Sequence, residues 1–168
     1  MKTLFLVRHA KSSWDDSSIK DLDRPLNNRG KTDAPFMGNL LKKKNVNPDI
    51  LISSPAKRAY STAKLFAKEL GIDKNKILVK ENIYEASAGE LIEIINDIKN
   101  EHFTAMLFGH NPGFTMLSYY LSNARVDNIP TCGVVKIIFD VESWKEVEVG
   151  RGTLTDFEFP KKYRDSVD

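Results

Sequence analysis

A chain of 168 residues with 41% apolar and 29% charged side chains has the composition of one globular domain, which excludes a disordered protein. Its 25 basic and 23 acidic residues leave a net charge of only +2, so no nucleic-acid partner is expected. No stretch approaches the roughly 20 apolar residues of a membrane span. The lone cysteine, Cys132, cannot form an internal disulfide, which fits a reducing compartment. We therefore expect a cytoplasmic protein without a membrane partner.

Several apolar runs predict short strands buried on both faces of a parallel sheet. The first run, Leu4–Val7, stops abruptly at Arg8 and His9. Further strands are predicted at residues 49–53, 77–79 and 104–109. Arg58 lies just beyond the second strand and His110 directly follows the last one. Basic residues therefore recur at strand ends, which is where open α/β sheets bind ligands.

Helices are predicted between the strands, because capping residues and apolar side chains at helical spacing lie there. The first helix should begin at Asn27 or Asn28 and end at about Lys44. The second should begin with Ser54 as its cap and Pro55 in its first turn, and end at Gly71. The third should begin at the capping box of Ser87 and Glu90. Pro35 should kink the first helix or mark a restart. A fourth helix is expected to follow Gly113.

The rest of the chain completes the predicted architecture. Val134–Phe139 and Trp144–Val149 predict two antiparallel strands at a sheet edge. Strands alternating with helices indicate a three-layer α/β/α sandwich with a mainly parallel central sheet. We expect one domain over residues 1–160, followed by a charged tail over residues 161–168 that frays.

Arg8, His9, Arg58 and His110 should converge at the carboxyl edge of this sheet. Two guanidiniums suit a tetrahedral dianion, because their forked donors match pairs of phosphate oxygens. Arg58 lies in the first turn of a helix, where a cation opposes the macrodipole unless an anion is bound there. The two imidazoles can act as nucleophile or donor. These four basic residues together predict a binding site for phosphate.

Other candidates remain open at this point. Glu85 lies in a strand-to-helix loop, where it is either catalytic or merely solvated. Arg24 either points back at the anion or only precedes a turn at Pro25. The acidic pairs at residues 15–16 and 21–23 are interpreted as solvated loop rather than as a metal site, since no further carboxylate completes a ligand set. A zinc site formed by the three histidines is disfavoured by the flanking arginines.

Four motifs closely resemble the histidine phosphatase superfamily, and within it the short SixA-like phosphohistidine phosphatases. They cover residues 7–12, 24–30, 53–63 and 109–113. The resemblance implies a phosphoglycerate mutase-like fold, with His9 as phosphoacceptor and Arg8, Arg58 and His110 holding the phosphoryl group. The family's general acid, where present, lies in the loop that matches Glu85.

The same resemblance suggests further phosphate or substrate contacts from Ser12, Arg24 and Asn111. Ala10 stands where many members have glycine, as is common in the SixA-like group. The larger mutases carry insertions over the site for which 168 residues leave no room, so mutase activity is not expected.

The expected function is that of a phosphatase with a covalent phosphohistidine intermediate and neither a metal nor another cofactor. The expected partner is a protein that carries phosphohistidine. Two alternatives remain, a phosphatase for small phosphoesters such as sugar or nucleotide phosphates, and a non-catalytic phosphate-binding module.

Overall fold

In the computed structural model, which describes residues 1–164, six strands form one sheet. The strands are β1 (Lys2–Arg8), β2 (Ile50–Ser53), β3 (Leu78–Val79), β4 (Thr104–Gly109), β5 (Val134–Phe139) and β6 (Gly152–Glu158). Their order across the sheet is β3-β2-β4-β1-β5-β6. β1, β2, β3 and β4 are mutually parallel, whereas β5 and β6 are antiparallel to their neighbours. The predicted mainly parallel sheet is confirmed.

The register brings the carboxyl ends of three neighbouring strands to one edge. Arg8 at the end of β1 pairs with Gly109 of β4, and Ser53 at the end of β2 pairs with Phe108 of β4. The residues that follow these strands therefore lie side by side, because neighbouring strands are about 4.8 Å apart.

Helices cover both faces of the sheet and make the predicted three layers. They are α1 (Asn28–Lys43), α2 (Lys57–Leu70), α3 (Ala88–Asn96), α4 (Gly113–Ser122) and the short α5 (Lys161–Arg164). Alternation along β1 separates two cores. Leu4 and Leu6 pack in the core that includes residues of α3 and α4, while Phe5 and Val7 pack with those of α1 and α2. No helix among the described residues is long and apolar enough to span a bilayer.

The structure corrects two predicted helix features. α1 is capped by Asn27, whose side chain accepts from the Gly30 amide. Of the two predicted effects of Pro35 the restart is wrong, because α1 is one helix from Asn28 to Lys43, and the kink stays a prediction. Proline removes one backbone donor there, and the buried side chains of Ala34 and Met37 beside it keep the helix packed on the sheet.

α2 begins later than predicted, at Lys57 with Ala56 in the cap position. The Ser54 hydroxyl does accept from the Ala56 amide, at 3.2 Å, but as a turn ahead of the helix. α2 ends at Gly71 as predicted, and Gly71 adopts a left-handed conformation with φ 72°, which glycine accepts without strain. The capping box of Ser87 and Glu90 on α3 is confirmed.

The prediction of a second edge strand at Trp144–Val149 is wrong. Trp144 begins a 3-10 turn closed by a capping box of Ser143 and Glu146. Trp144 and Val147 are both buried, which is the three-residue spacing of a helical turn rather than the two of a strand. The edge strand is β6, eight residues further along.

The charged tail differs from its prediction where the structure describes it. Lys161–Arg164 form α5, and the Arg164 guanidinium binds the buried Asp33 carboxylate, with Nη1 2.5 Å from Oδ1. This ion pair docks the segment on α1. The remainder of the predicted tail, residues 165–168, lies outside the described residues.

Candidate active site

His9 leaves the end of β1 with its ring held in one orientation. It is 8% exposed, and its Nδ1 lies 2.8 Å from the Ala10 carbonyl oxygen. A carbonyl only accepts, so Nδ1 carries the hydrogen and Nε2 of the neutral ring keeps its lone pair. The Ala10 amide donates to Thr62 Oγ1 of α2 at 2.9 Å. This bond fixes the chain just beyond the histidine.

The surroundings of His9 keep its imidazole uncharged. Burial lowers the pKa of His9 from its usual 6.5 to about 3, and repulsion from His110, Arg58 and Arg8 acts in the same direction. The bond to Ala10 offsets a part of this change. The ring is therefore neutral at physiological pH, as a nucleophile must be.

His110 follows β4 and faces His9 across the strand ends, with ring centroids 5.4 Å apart. Its Nε2 lies 2.8 Å from the Ser54 hydroxyl. That hydroxyl already accepts from Ala56, so its own hydrogen can go to Nε2, which places the ring hydrogen on Nδ1. Burial lowers the pKa of His110 to about 4, and the charge of Arg58 contributes. Ser54 is thus the partner of a histidine rather than a helix cap.

Both arginines are anchored at their tips. Arg8 Nη1 donates to the Ile129 carbonyl at 2.9 Å. Arg58 donates from Nη1 to the Asp21 carbonyl at 2.6 Å and from Nη2 to the Asp21 carboxylate at 3.0 Å. Anchoring fixes both guanidinium planes and restricts their rotamers before any ligand arrives.

Three buried nitrogens nevertheless have no hydrogen-bond partner within residues 1–164. They are Nε of Arg8, Nε of Arg58 and Nδ1 of His110. Buried polar atoms are nearly always paired, and an unpaired one carries a desolvation cost of about 1–3 kcal/mol. Donors from two cations and an imidazole, placed beside His9, fit the oxygens of a tetrahedral oxyanion.

Asp21 is the residue that sequence reasoning missed. Its carboxylate accepts from Arg58, from Arg24 Nε at 3.1 Å and from the Tyr84 hydroxyl at 2.5 Å. The bond from Tyr84 is the main cause that lowers the pKa of Asp21 to about 2, with help from Arg24 and Arg58. The loop after β1 was predicted to be merely solvated at this position. Asp21 instead ties that loop to α2 and to the loop of Tyr84.

The other predicted contacts mostly brace the site. Arg24 Nη1 donates to Ser12 Oγ at 2.7 Å, and its guanidinium stacks 3.5 Å from the Trp14 ring centroid. Asn111 donates from Nδ2 to Asn128 and to the Ile129 carbonyl, and its Oδ1 accepts twice from Thr115. The side-chain donors of Asn111 are thus engaged within the protein, while the residue also lines the cavity beside His110, and its predicted substrate contact stays a prediction.

Glu85 lies at the mouth of the site. It is exposed, adopts φ 58°, and lines a cavity of about 530 Å³ together with Arg58, Tyr84 and His110. No hydrogen bond or ion pair of Glu85 is found in the described part of the chain. A free carboxylate beside the two basic groups can exchange a proton with a bound molecule.

No three His, Cys, Asp or Glu side chains within residues 1–164 come together as a metal site would need. An α/β sandwich that brings two neutral histidines and two anchored arginines to one sheet edge has the chemistry of a site for an oxyanion.

Comparison with known proteins agrees with this class. The family model of the histidine phosphatase superfamily, branch 1, matches residues 4–116, and the chain belongs to this superfamily. The structure of a candidate phosphohistidine phosphatase SixA from Agrobacterium tumefaciens superposes with a TM-score of 0.80 at 26% identity, over 95% of this chain and 98% of the other. The predicted family and its SixA-like group are confirmed.

Two proteins from other organisms are similar to this chain in sequence. An uncharacterized chloroplastic protein of Arabidopsis thaliana is 31% identical over 153 residues, 86% of this chain and 70% of its own. A candidate phosphoserine phosphatase 2 from Hydrogenobacter thermophilus is 35% identical over 133 residues, 78% of this chain but 58% of its own length. The cytoplasmic location expected above stays a prediction, since one relative is named as chloroplastic.

Proposed function

We propose that this protein is a metal-independent phosphatase in which His9 carries the phosphoryl group as a covalent intermediate. Membership of a phosphatase superfamily supports the reaction class. The observation that carries the assignment of residues is the set of three buried, unpaired nitrogens of Arg8, Arg58 and His110 around a neutral His9. These groups have the chemistry that a bound phosphoryl group requires.

In the first step the Nε2 lone pair of His9 attacks phosphorus. The P–N bond forms as the bond from phosphorus to the leaving atom breaks, and the leaving atom keeps that electron pair. Glu85, when protonated, delivers its proton to the leaving atom. Splitting one displacement into two steps is the advantage of a covalent intermediate.

Charge on the three equatorial oxygens is stabilised by the unpaired donors. Arg8 Nε, Arg58 Nε and His110 Nδ1 are already positioned, because Ile129, Asp21 and Ser54 hold the other nitrogens of the same side chains. Preorganised donors in a buried site need no reorganisation during the reaction, and such stabilisation is usually the largest catalytic effect.

In the second step a water oxygen attacks the phosphorus of phosphohistidine. The Glu85 carboxylate accepts a proton from this water, and the P–N bond breaks with its electron pair returning to Nε2 of His9. Inorganic phosphate leaves and Glu85 is protonated again. His9 returns to the neutral tautomer that its bond to Ala10 favours.

For the substrate we infer phosphohistidine in a protein. The similarity to a candidate phosphohistidine phosphatase over nearly the whole of both chains supports this inference. A small phosphoester is the second candidate, because a relative with 35% identity is named as a candidate phosphoserine phosphatase. A non-catalytic binding module would have no use for a neutral, oriented His9.

Acid and alkali quenching of the enzyme during turnover tests the covalent step. We expect a phosphoryl adduct that is stable to alkali and labile to acid, and His9→Ala should lose both the adduct and turnover. His102→Ala is the matched control, because His102 precedes β4 beside Glu101 and lies away from the carboxyl ends of the strands. Substantial turnover by His9→Ala, or binding without turnover by the wild type, would contradict the proposal. Comparing a phosphohistidine protein with a panel of small phosphoesters then decides the substrate class.

A further inference from the structure

A second cavity, of about 740 Å³, lies on the outer side of α2 and is separate from the four basic residues described above. Its rim carries five lysines, namely Lys31, Lys57, Lys64, Lys68 and Lys74. Its floor is apolar and includes Leu26, Leu65 and Ile72. We call this feature the lysine groove. No acidic residue lines it among the described residues.

The sequence of α2 builds one wall of the lysine groove. Lys57, Ser61, Lys64 and Lys68 recur at spacings of four, three and four, which places them on one face of the helix. The opposite face, with Ala63 and Phe66, is buried in the core. The outward face of α2 is thus basic along its whole length.

The five lysines are not neutralised by the protein itself. None of them forms an ion pair with a carboxylate within residues 1–164. The Lys64 ammonium lies over the Tyr60 ring, 4.9 Å from its centroid. The chain as a whole carries a net charge of only +2, so this local concentration of cations is a property of the groove rather than of the composition.

The lysine groove adjoins the candidate active site. Lys57 on its rim directly precedes Arg58, and Leu26 on its floor belongs to the loop that also carries Arg24. Leu26 forms a β-bridge with Ser12, three residues beyond His9. The amino end of α2 therefore carries residues of both the lysine groove and the phosphoryl site.

We propose that the lysine groove docks an acidic amphipathic helix of the protein whose phosphohistidine the enzyme hydrolyses. This proposal rests on the proposed function for its substrate and on the groove for its docking surface. An apolar floor with a cationic rim complements a helix with an apolar stripe flanked by carboxylates. The lysine-bearing face of α2 from Lys57 to Lys68 extends about 16 Å at 1.5 Å per residue, roughly three turns of a partner helix.

The shape of the groove distinguishes this partner from a lipid surface. A bilayer presents a flat face, which contacts the lysine tips but cannot reach a floor recessed between them. A helix with an apolar stripe can contact Leu65 and Ile72, displace water from them and bring its carboxylates to the lysines of the rim. Long-range attraction would also speed encounter at low salt.

Direct binding tests the groove without any reaction. The probe is a fluorescein-labelled 18-residue helical peptide with leucines along one face flanked by glutamates, followed by anisotropy. We expect Lys64→Glu/Lys68→Glu to weaken binding at least about tenfold. The matched control is Lys99→Glu/Lys145→Glu, which reverses the charge of two exposed lysines outside the lysine groove. This variant should bind the peptide like the wild type.

Absence of binding to the wild type, or equal binding by the two charge-reversal variants, overturns the proposal. Lysine-dependent binding to phosphatidylglycerol vesicles in preference to the peptide would also overturn it, in favour of a membrane surface. Thermal unfolding of both variants shows whether a loss arises from the fold instead. Lys64→Gln/Lys68→Gln, which removes charge without reversing it, should give an intermediate loss.

Kinetics separate this proposal from the proposed function. With a histidine-phosphorylated phosphotransfer protein as substrate, Lys64→Glu/Lys68→Glu should raise KM about tenfold and leave kcat unchanged. Hydrolysis of phosphoramidate should stay within about twofold of the wild type. An equal loss on both substrates overturns docking. A wild type that hydrolyses only small phosphoesters contradicts the substrate inferred above, while the peptide result still decides what the groove binds.

Discussion

Binding of an oxyanion should become tighter as the pH falls, because it should raise the pKa of His110. In the free protein burial and nearby arginines hold that pKa at about 4. An anion accepted by Nδ1 favours the charged ring, so the complex takes up a proton at any pH between the two pKa values. Sulfate is the appropriate probe, because it keeps both negative charges over the range to be measured.

The size of the effect follows from Coulomb attraction. A unit charge about 4 Å from the ring contributes about 4 kcal/mol at an effective dielectric constant near 20, which is about three pKa units. The pKa of His110 should therefore rise from about 4 to about 7 in the complex. Between pH 7 and pH 5 the Kd for sulfate should fall about 50-fold.

Isothermal titration calorimetry at constant ionic strength measures this dependence, and two buffers of different ionisation enthalpy give the protons taken up. His110→Gln should lose most of the dependence. His9→Ala should keep the part of the dependence that His110 contributes, because that ring and its anion contact remain. Any smaller decrease would measure the contribution of His9, whose pKa in the free protein lies one unit lower, at about 3. A Kd that stays constant from pH 7 to pH 5 in the wild type would refute the reasoning. An unchanged dependence in His110→Gln would do the same, provided that its circular dichroism spectrum matches the wild type.

Glu85→Gln should slow phosphoester hydrolysis at least roughly tenfold and spare phosphohistidine far more, since imidazole leaves with little help from an acid; equal losses in kcat on both substrates would indicate another role. Asp21→Ala should lower kcat about tenfold, because it removes the carboxylate that holds Arg58 Nη2, although the bond from Nη1 to the backbone carbonyl remains. The sulfate Kd should change much less, and a large change in Kd with an unchanged kcat would contradict the positioning role. Gly30→Ala should destabilise the fold by about 1–3 kcal/mol in urea unfolding, because the new Cβ would lie 2.2 Å from a backbone oxygen. Gly89→Ala meets nothing closer than 4.0 Å and should not destabilise, so equal losses would reject the steric explanation.

The convergence of basic residues could be predicted because it depends on short-range signals. Each strand ends where its apolar run ends, and parallel strands place those ends at one edge of the sheet. This rule alone predicts that Arg8 and His110 are neighbours. The register of β1 with β4 agrees, because Arg8 pairs with the residue that precedes His110. Arg58 was identified from the unfavourable position of a cation in a first helical turn.

The supports of these residues could not be predicted, because they depend on contacts between distant loops. Asp21 lies 37 residues from Arg58 in a polar loop whose sequence has no periodicity to show which way a side chain points. Ser54 carries the signal of a helix cap, and only the fold shows that its hydroxyl also meets His110. Trp144 fits a strand by residue type, whereas its burial follows a helical turn.

The position of β1 in the sheet has a consequence during synthesis on the ribosome. β1 is an inner strand, and both of its neighbours come much later in the chain, with Thr3 paired to Thr104 and Val7 to Val134. At about 5–20 residues per second, its apolar segment waits roughly 5 to 20 s for its first partner strand. During that interval Leu4–Val7 is a segment that chaperones can bind. Catalytic competence should therefore appear late and all at once, when β4 inserts between β1 and β2 and brings His110 beside His9.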